Sequence, residues 1–238
     1  MKETLKEKVS RLLLLEPTKE NGNEIRTLVS EIFLRSCELY EIAQTKGEAE
    51  KTKMLLSRCL KKLRAVNNKT EKELRECEFL FVELDRLLES VCLCTDILLS
   101  DKNKKLFFES EKIAVSCCPQ LIIDAFLNLI SNAVKFSSGD IRASLSSGNR
   151  QCVITVSDAA KSEELSLIRP KDGLLSVQNT AKLHEGRLLF SSGKSSFSAR
   201  MALSLELPRG KRYHAQPFTA FLENRTSPVY VGLCDCME

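Results

Sequence analysis

Asn128, Asn132 and Lys135 are the residues whose types and spacing point most directly to chemistry. The asparagines are four apart and the lysine lies three beyond the second. On a helix all three share one face. Two amide oxygens and an ammonium on one face suit a hydrated divalent cation that carries phosphate. Magnesium keeps several waters and needs few protein ligands besides phosphate oxygens. The same spacing also suits a plain core helix with a polar outer edge. Asparagine is a mediocre helix former, so two on one face call for a reason.

The stretch that carries them is LIIDAFLNLISNAVKFS, residues 121–137. Leu121, Ile122, Ala125, Phe126, Leu129, Ile130, Ala133 and Val134 recur at helical spacing. They predict an amphipathic helix against a core. Pro119 stands at its start, where a missing amide hydrogen is harmless.

NLISNAVKFS resembles the asparagine box of sensor histidine kinases, within the GHKL (Bergerat-fold) ATPase superfamily. Asn128, Asn132, Ala133, Lys135 and Phe136 meet the pattern Asn-x-x-x-Asn-Ala-x-Lys-Phe. The resemblance runs from about Phe79 to Pro208. It implies that Asn128 and Asn132 contact magnesium and phosphates and that Lys135 contacts phosphate. VSDAAKS, residues 156–162, sits where the family has its first glycine box. Asp158 is kept, and the resemblance gives it a hydrogen bond from the adenine amino group. Asp158 simply ending a strand at a turn is the other reading. Ala160 and Ser162 stand at the two glycine positions. KDGLLSVQNTAKLHEG resembles the second glycine box: Gly173 is kept and Lys171 replaces the other glycine. A glycine turn that feeds a helix N-terminus cradles phosphate. His184, before Gly186, reads as a structural residue at a helix end, with Gly186 as its cap. Only fourteen residues separate Asp158 from Gly173, so the family's lid is truncated.

Around this site the pattern predicts a strand at residues 79–82 and a helix at 85–99. Short strands follow at 105–108 and 113–116, then the asparagine-box helix. Strands at 141–145 and 152–157 are joined through a Gly-Asn turn. The strands at 187–191 and 197–207 close an α/β sandwich with helices on one sheet face. FTAFL and VYVGLC in the tail are apolar runs that add strands or dock on a neighbour.

Ahead of this region the chain reads as helices. Residues 2–16 form a short amphipathic one stopped by Pro17. Residues 24–46 and 48–66 each carry one apolar stripe and meet at Gly47, as an antiparallel hairpin. A hairpin cannot bury both stripes alone, but two copies can, as a four-helix bundle. This resembles the family's dimerisation hairpin. The family's phosphoaccepting histidine is missing, for the chain has two histidines, His184 and His214.

Composition narrows the class. The net charge of +4 with interspersed signs, at 29% charged residues, argues against a nucleic-acid binder. No apolar run reaches the roughly 20 residues that span a membrane. The expectation is a cytoplasmic protein with no membrane partner. The ten cysteines fall mostly at apolar positions and read as reduced small hydrophobes.

The reading is therefore an α+β chain. Residues 1–76 form a helical dimerisation hairpin, 77–210 a histidine-kinase-like ATPase domain, and 211–238 a C-terminal extension. The expected ligand is ATP or ADP with magnesium, bound weakly or lost, and no catalytic residue is assigned. Expected partners are a second copy and a signalling protein such as a response regulator. Two rivals remain open: a non-enzymatic interaction module without nucleotide, and an anti-sigma-factor-type serine kinase, which the N-terminal hairpin opposes.

Overall fold

The computed structural model describes residues 4–16, 20–41, 52, 55, 59–60, 77–100, 104–137, 139–159, 172–193, 196–205, 211–224 and 227–236. The chain divides into two compact units, Met1–Asn68 with Arg225–Glu238, and Lys69–Asn224.

The second unit holds the site. Its strands are β1 (Leu80–Glu83), β2 (Leu106–Ser110), β3 (Ala114–Cys117), β4 (Ile141–Gly148), β5 (Gln151–Asp158), β6 (Arg187–Ser192), β7 (Phe197–Ser204) and β8 (Arg212–Tyr213). Its helices are α3 (Leu84–Leu99), α4 (Pro119–Phe136), α5 (Asp172–Leu183) and α6 (Phe218–Glu223). Five strands form the main sheet in the order β2-β4-β5-β7-β6, and three form a small sheet in the order β3-β1-β8. Within the main sheet only β2 and β4 run parallel.

Alternation decides which face is covered. Along β5, Cys152, Ile154, Val156 and Asp158 are buried while their neighbours are half-exposed. Opposed residues of an antiparallel pair share a face. Ile141, Ala143 and Leu145 of β4 and Ala199, Met201 and Leu203 of β7 therefore continue this inner face, and all are buried. α4 and α5 pack against it and against each other. The other face carries Phe107, with Arg142 stacked over its ring at 5.6 Å.

α4 is buried more completely than one stripe requires. Ile123, Leu127 and Ser131 join the expected apolar residues in the interior. A helix apolar nearly all round is a central helix, and each fully buried large side chain contributes about 1.5–3 kcal/mol.

Four expectations change on the structure. The β4–β5 turn is centred on Asn149 and Arg150, at φ 52° and 60°, one residue beyond the expected Gly-Asn pair. Positive φ at both central residues is the type I′ requirement, and that twist matches the strands. Glu185, at φ 54°, takes the left-handed position after α5, where Gly186 was expected. The amides of Glu185 and Gly186 donate to the carbonyls of Lys182 and Ala181, a Schellman ending. Gly186 is needed for another reason: a Cβ there would stand 1.8 Å from the Ala202 carbonyl oxygen of β7. In the tail, both apolar runs fold as helices, not strands: FTAFL within α6 and VYVGL within α7 (Pro228–Leu233). β8 does add a strand, on β1, and the unit extends past residue 210 to Asn224.

In the first unit, α1 (Leu5–Leu14) and α2 (Gly22–Glu41) pack together. Lys8 pairs with Glu31 and Arg11 with Glu24, so the two helices run antiparallel. Leu12, Ile25, Leu28, Val29 and Ile32 are buried. Thr4 and Glu7 form a capping box, and the bonds that the Thr4 amide and hydroxyl donate to the Glu7 carboxylate hold it below its usual range. The expected turn at Gly47, the extent of the 48–66 helix and its pairing with residues 24–46 lie outside the described residues. Among the described residues, no helix is long and apolar enough to cross a membrane.

Candidate functional site

Three elements converge at one end of the main sheet: the C-terminal half of α4, the end of β5 and the first turn of α5. α4 carries a polar line, Asp124, Asn128, Asn132 and Lys135. Its exposure is graded: Asn128 is 5% exposed, Asn132 is half-buried and Lys135 is exposed. The cover over Asn128 is α5. A Cβ added at Gly173 would lie 3.2 Å from the Asn128 Oδ1 atom. The bare Cα of Gly173 is thus what lets the first turn of α5 approach the amide so closely.

Asp158 ends β5 on the inner, helix-covered face and is 9% exposed. Its strand neighbours are Ile141 and Phe197. The connection from α4 to β4 runs past this strand end, where a Cβ at Gly139 would meet that of Ala159 at 3.7 Å. Asn128 and Gly173 are therefore in contact, and Asp158 lies on the face that α4 and α5 cover. Ala160, Ser162, Lys171 and the expected short lid fall outside the described residues.

Lys104, which the sequence reading passed over, and His184 fix the helices. Lys104 donates from Nζ to the carbonyls of Val134 and Ser137, at 2.8 Å for the latter, and so caps α4. A cation at a helix C-terminus also suits the helix dipole. Nothing in the local pattern marks Lys104, which comes from the α3–β2 connection. At the other end of α4, the Cys118 amide donates to His184 Nε2 at 3.1 Å. His184 Nδ1 lies 2.8 Å from the Thr180 carbonyl oxygen. The ring is thus neutral, with its proton on Nδ1. Burial lowers its pKa from 6.5, opposed by the Thr180 bond. His184 is structural, as its position at a helix end implied.

The buried thiols match the small-hydrophobe reading. Burial pushes Cys152 and Cys94 up to about 11 and Cys59 to about 12, and raises Cys92 and Cys117 further. Thiols this far above neutral pH are not nucleophiles.

The arrangement is chemically specific. The Gly173 contact holds α5 against Asn128, and a helix N-terminus presents free amides to an anion. Asp158 offers an acceptor on the same face. No group of three or more His, Cys, Asp or Glu among the described residues can hold a metal ion.

No protein-family model matches the sequence, and no curated protein does. Solved structures do match. The histidine kinase AdeS of Acinetobacter baumannii gives a TM-score of 0.56 at 13% identity, covering 77% of this chain and 98% of that one. Full-length ShkA, solved in complex with AMPPNP, gives 0.56 at 15% identity, covering 84% of this chain and 47% of that one. The chain therefore carries the fold of the histidine kinase structures that it matches.

Proposed function

We propose that this protein is a signalling protein built on a histidine-kinase fold, that it binds an adenine nucleotide with magnesium weakly, and that it does not autophosphorylate on a hairpin histidine. The observation that carries the reading is the contact of Gly173 with Asn128 beneath the first turn of α5. This proximity of two residues remote in sequence supports a phosphate cradle at the start of α5. When bound, the nucleotide supplies a transferable phosphoryl group and, through magnesium, charge neutralisation. Asn128 and Asn132 would hold the magnesium, Lys135 and the α5 N-terminus the phosphates, and Asp158 the base amino group.

Weak binding follows from Ala160 and Lys171 at glycine positions and from the short lid. Backbone strain at such sites costs about 1–3 kcal/mol, roughly a ten- to a hundredfold loss of affinity. Calorimetry with ATP, with and without magnesium, tests this. A dissociation constant in the high-micromolar to millimolar range is expected. No heat and no thermal stabilisation at millimolar nucleotide would replace this reading with that of a non-enzymatic interaction module.

The absence of autophosphorylation rests on the chain's two histidines. His184 has both ring nitrogens engaged in the interior, and His214 lies outside the hairpin segment. Labelled ATP should leave no acid-labile phosphohistidine. The partners belong to the same proposal: a second copy, through a four-helix bundle of residues 24–66, and a signalling protein. A monodisperse monomer in light scattering at micromolar concentration would remove the bundle.

A further inference from the structure

We propose that Phe197, braced by Phe190, forms a wall against which the base of the bound nucleotide stacks, so that the sheet supplies the aromatic surface of the site. The inference rests on the nucleotide-binding reading above. Phe197 on β7 stands directly opposite Asp158 on β5, so the two side chains share the inner face. Phe197 is half-buried. Phe190 on β6 pairs with Ala199, two residues along β7 from Phe197, and thus lies on the same face. The two rings stack at 5.8 Å between centroids, with 19° between their planes.

The order of strands gives the pair a direction. β7 lies between β5 and β6. Phe190 therefore backs Phe197 on the side away from Asp158. Phe197 thus stands between Phe190 and Asp158 on this face. Phe190 remains 48% exposed, so the pair is not spent on closing the core. A planar base whose amino group donates to Asp158 would lie beside this ring. The segment between Asp158 and Gly173 contains no aromatic residue, whereas Phe197 is paired with Asp158 itself. Stacking of a base on an aromatic side chain contributes roughly five- to a hundredfold in affinity.

The test uses the full chain and three probes: ATP, ADP and inorganic tripolyphosphate. Phe197→Leu keeps bulk and removes the aromatic face, and its urea midpoint shows whether it folds. The expected result is about tenfold weaker ATP and ADP binding with tripolyphosphate binding unchanged. The chain contains no tryptophan. Phe197→Trp therefore places the chain's one tryptophan at the wall. Its emission should be quenched by ATP and ADP and not by tripolyphosphate. Wild-type protein that binds ATP, with Phe197→Leu binding it equally and Phe197→Trp unresponsive, would overturn the wall and leave the nucleotide site standing. Wild-type protein that binds no nucleotide would overturn both. Equal loss of ATP and tripolyphosphate binding in a folded Phe197→Leu would also overturn it, because the ring would then be supporting the phosphate end.

Discussion

The two ends of α4 are built on opposite terms. At its N-terminus the Cys118 amide is bonded to His184, and His184 in turn to Thr180, all in the interior. The Schellman ending of α5 and the crossing of Gly186 over β7 lie beside that point. At its C-terminus the polar line opens from buried Asn128 to exposed Lys135, and the contact with α5 is a glycine against an amide. Packing and satisfied hydrogen bonds fix the first end. The second is held closely at Asn128 and then releases its side chains to solvent. The division suits the proposed binding end, because a site is only as precise as the element that carries it. The two ends should therefore fail differently: mutations at the first should cost stability, and mutations at the second should cost ligand.

The largest effect should come from Gly186→Ala. Its new methyl group would meet the Ala202 carbonyl oxygen at 1.8 Å, and backbone cannot yield as a side chain can. Destabilisation on the order of 4 kcal/mol, in the tail of single-mutant effects, should appear as a lowered urea midpoint. His184→Gln comes next. It unbalances a bond to a buried amide, at about 1–3 kcal/mol. It also carries a pH signature. Burial holds the His184 pKa below its ordinary 6.5. Between that lowered value and 6.5, the unfolded chain binds a proton that the native chain does not. The contribution is thus complete above pH 6.5 and is lost as the pH falls through the interval below it. Urea midpoints of the wild type should drop on acidification through that interval, and His184→Gln should flatten the slope.

Lys104→Met sharpens the comparison at the other end of the helix. Lys104 holds two carbonyls at the α4 C-terminus from outside the polar line. Its loss should cost about 1–2 kcal/mol, as other charge-assisted bonds do. Nucleotide affinity should change little, since Asn128, Asn132 and Lys135 keep their helix. A calorimetric titration alongside the urea curve separates the two quantities. A large loss of affinity with unchanged stability would place Lys104 in the site.

Much of this was legible in the residues. The 3.6-residue recurrence along 121–137 located α4, and the period-2 alternation of residues 152–157 located β5, with Asp158 at its end. His184 before a glycine read correctly as a helix-end residue. Other features were hidden for physical reasons. The Arg150 turn position is set by the twist of β4 and β5, and arginine carries no mark of positive φ. Lys104 and Phe197 act across strand and helix pairings remote in sequence, which local periodicity does not encode. The tail runs FTAFL and VYVGL are too short for period to separate strand from helix, and Pro217 and Pro228 at the helix starts were the available cue. The Thr4 to Glu7 capping box was also readable as T-x-x-E ahead of an apolar run.

Gly173→Ala should have the smallest effect on the fold and a large one on the ligand. Alanine is the better helix former by about 0.8–1.0 kcal/mol, which favours the variant in the first turn of α5. Against this, its methyl group would press on the Asn128 Oδ1 atom from 3.2 Å, closer than ordinary contact. The far end of an asparagine side chain can give by a few tenths of an ångström, so the two terms should nearly cancel, to within about 0.5 kcal/mol, as at unexceptional positions. The shift is tolerable for folding and not for binding, because the atom displaced is the amide oxygen assigned to magnesium. A misplacement of about 1 Å in a positioned group can cost roughly a hundredfold, and a shift of a few tenths costs part of that. Titration with ATP and magnesium should therefore show weakened binding in Gly173→Ala, with its urea midpoint near that of the wild type. Unchanged affinity in a folded Gly173→Ala would mean that the Asn128 amide is a packing group. The two ends of α4 would then both be structural, and the contrast between them would be one of solvent exposure alone.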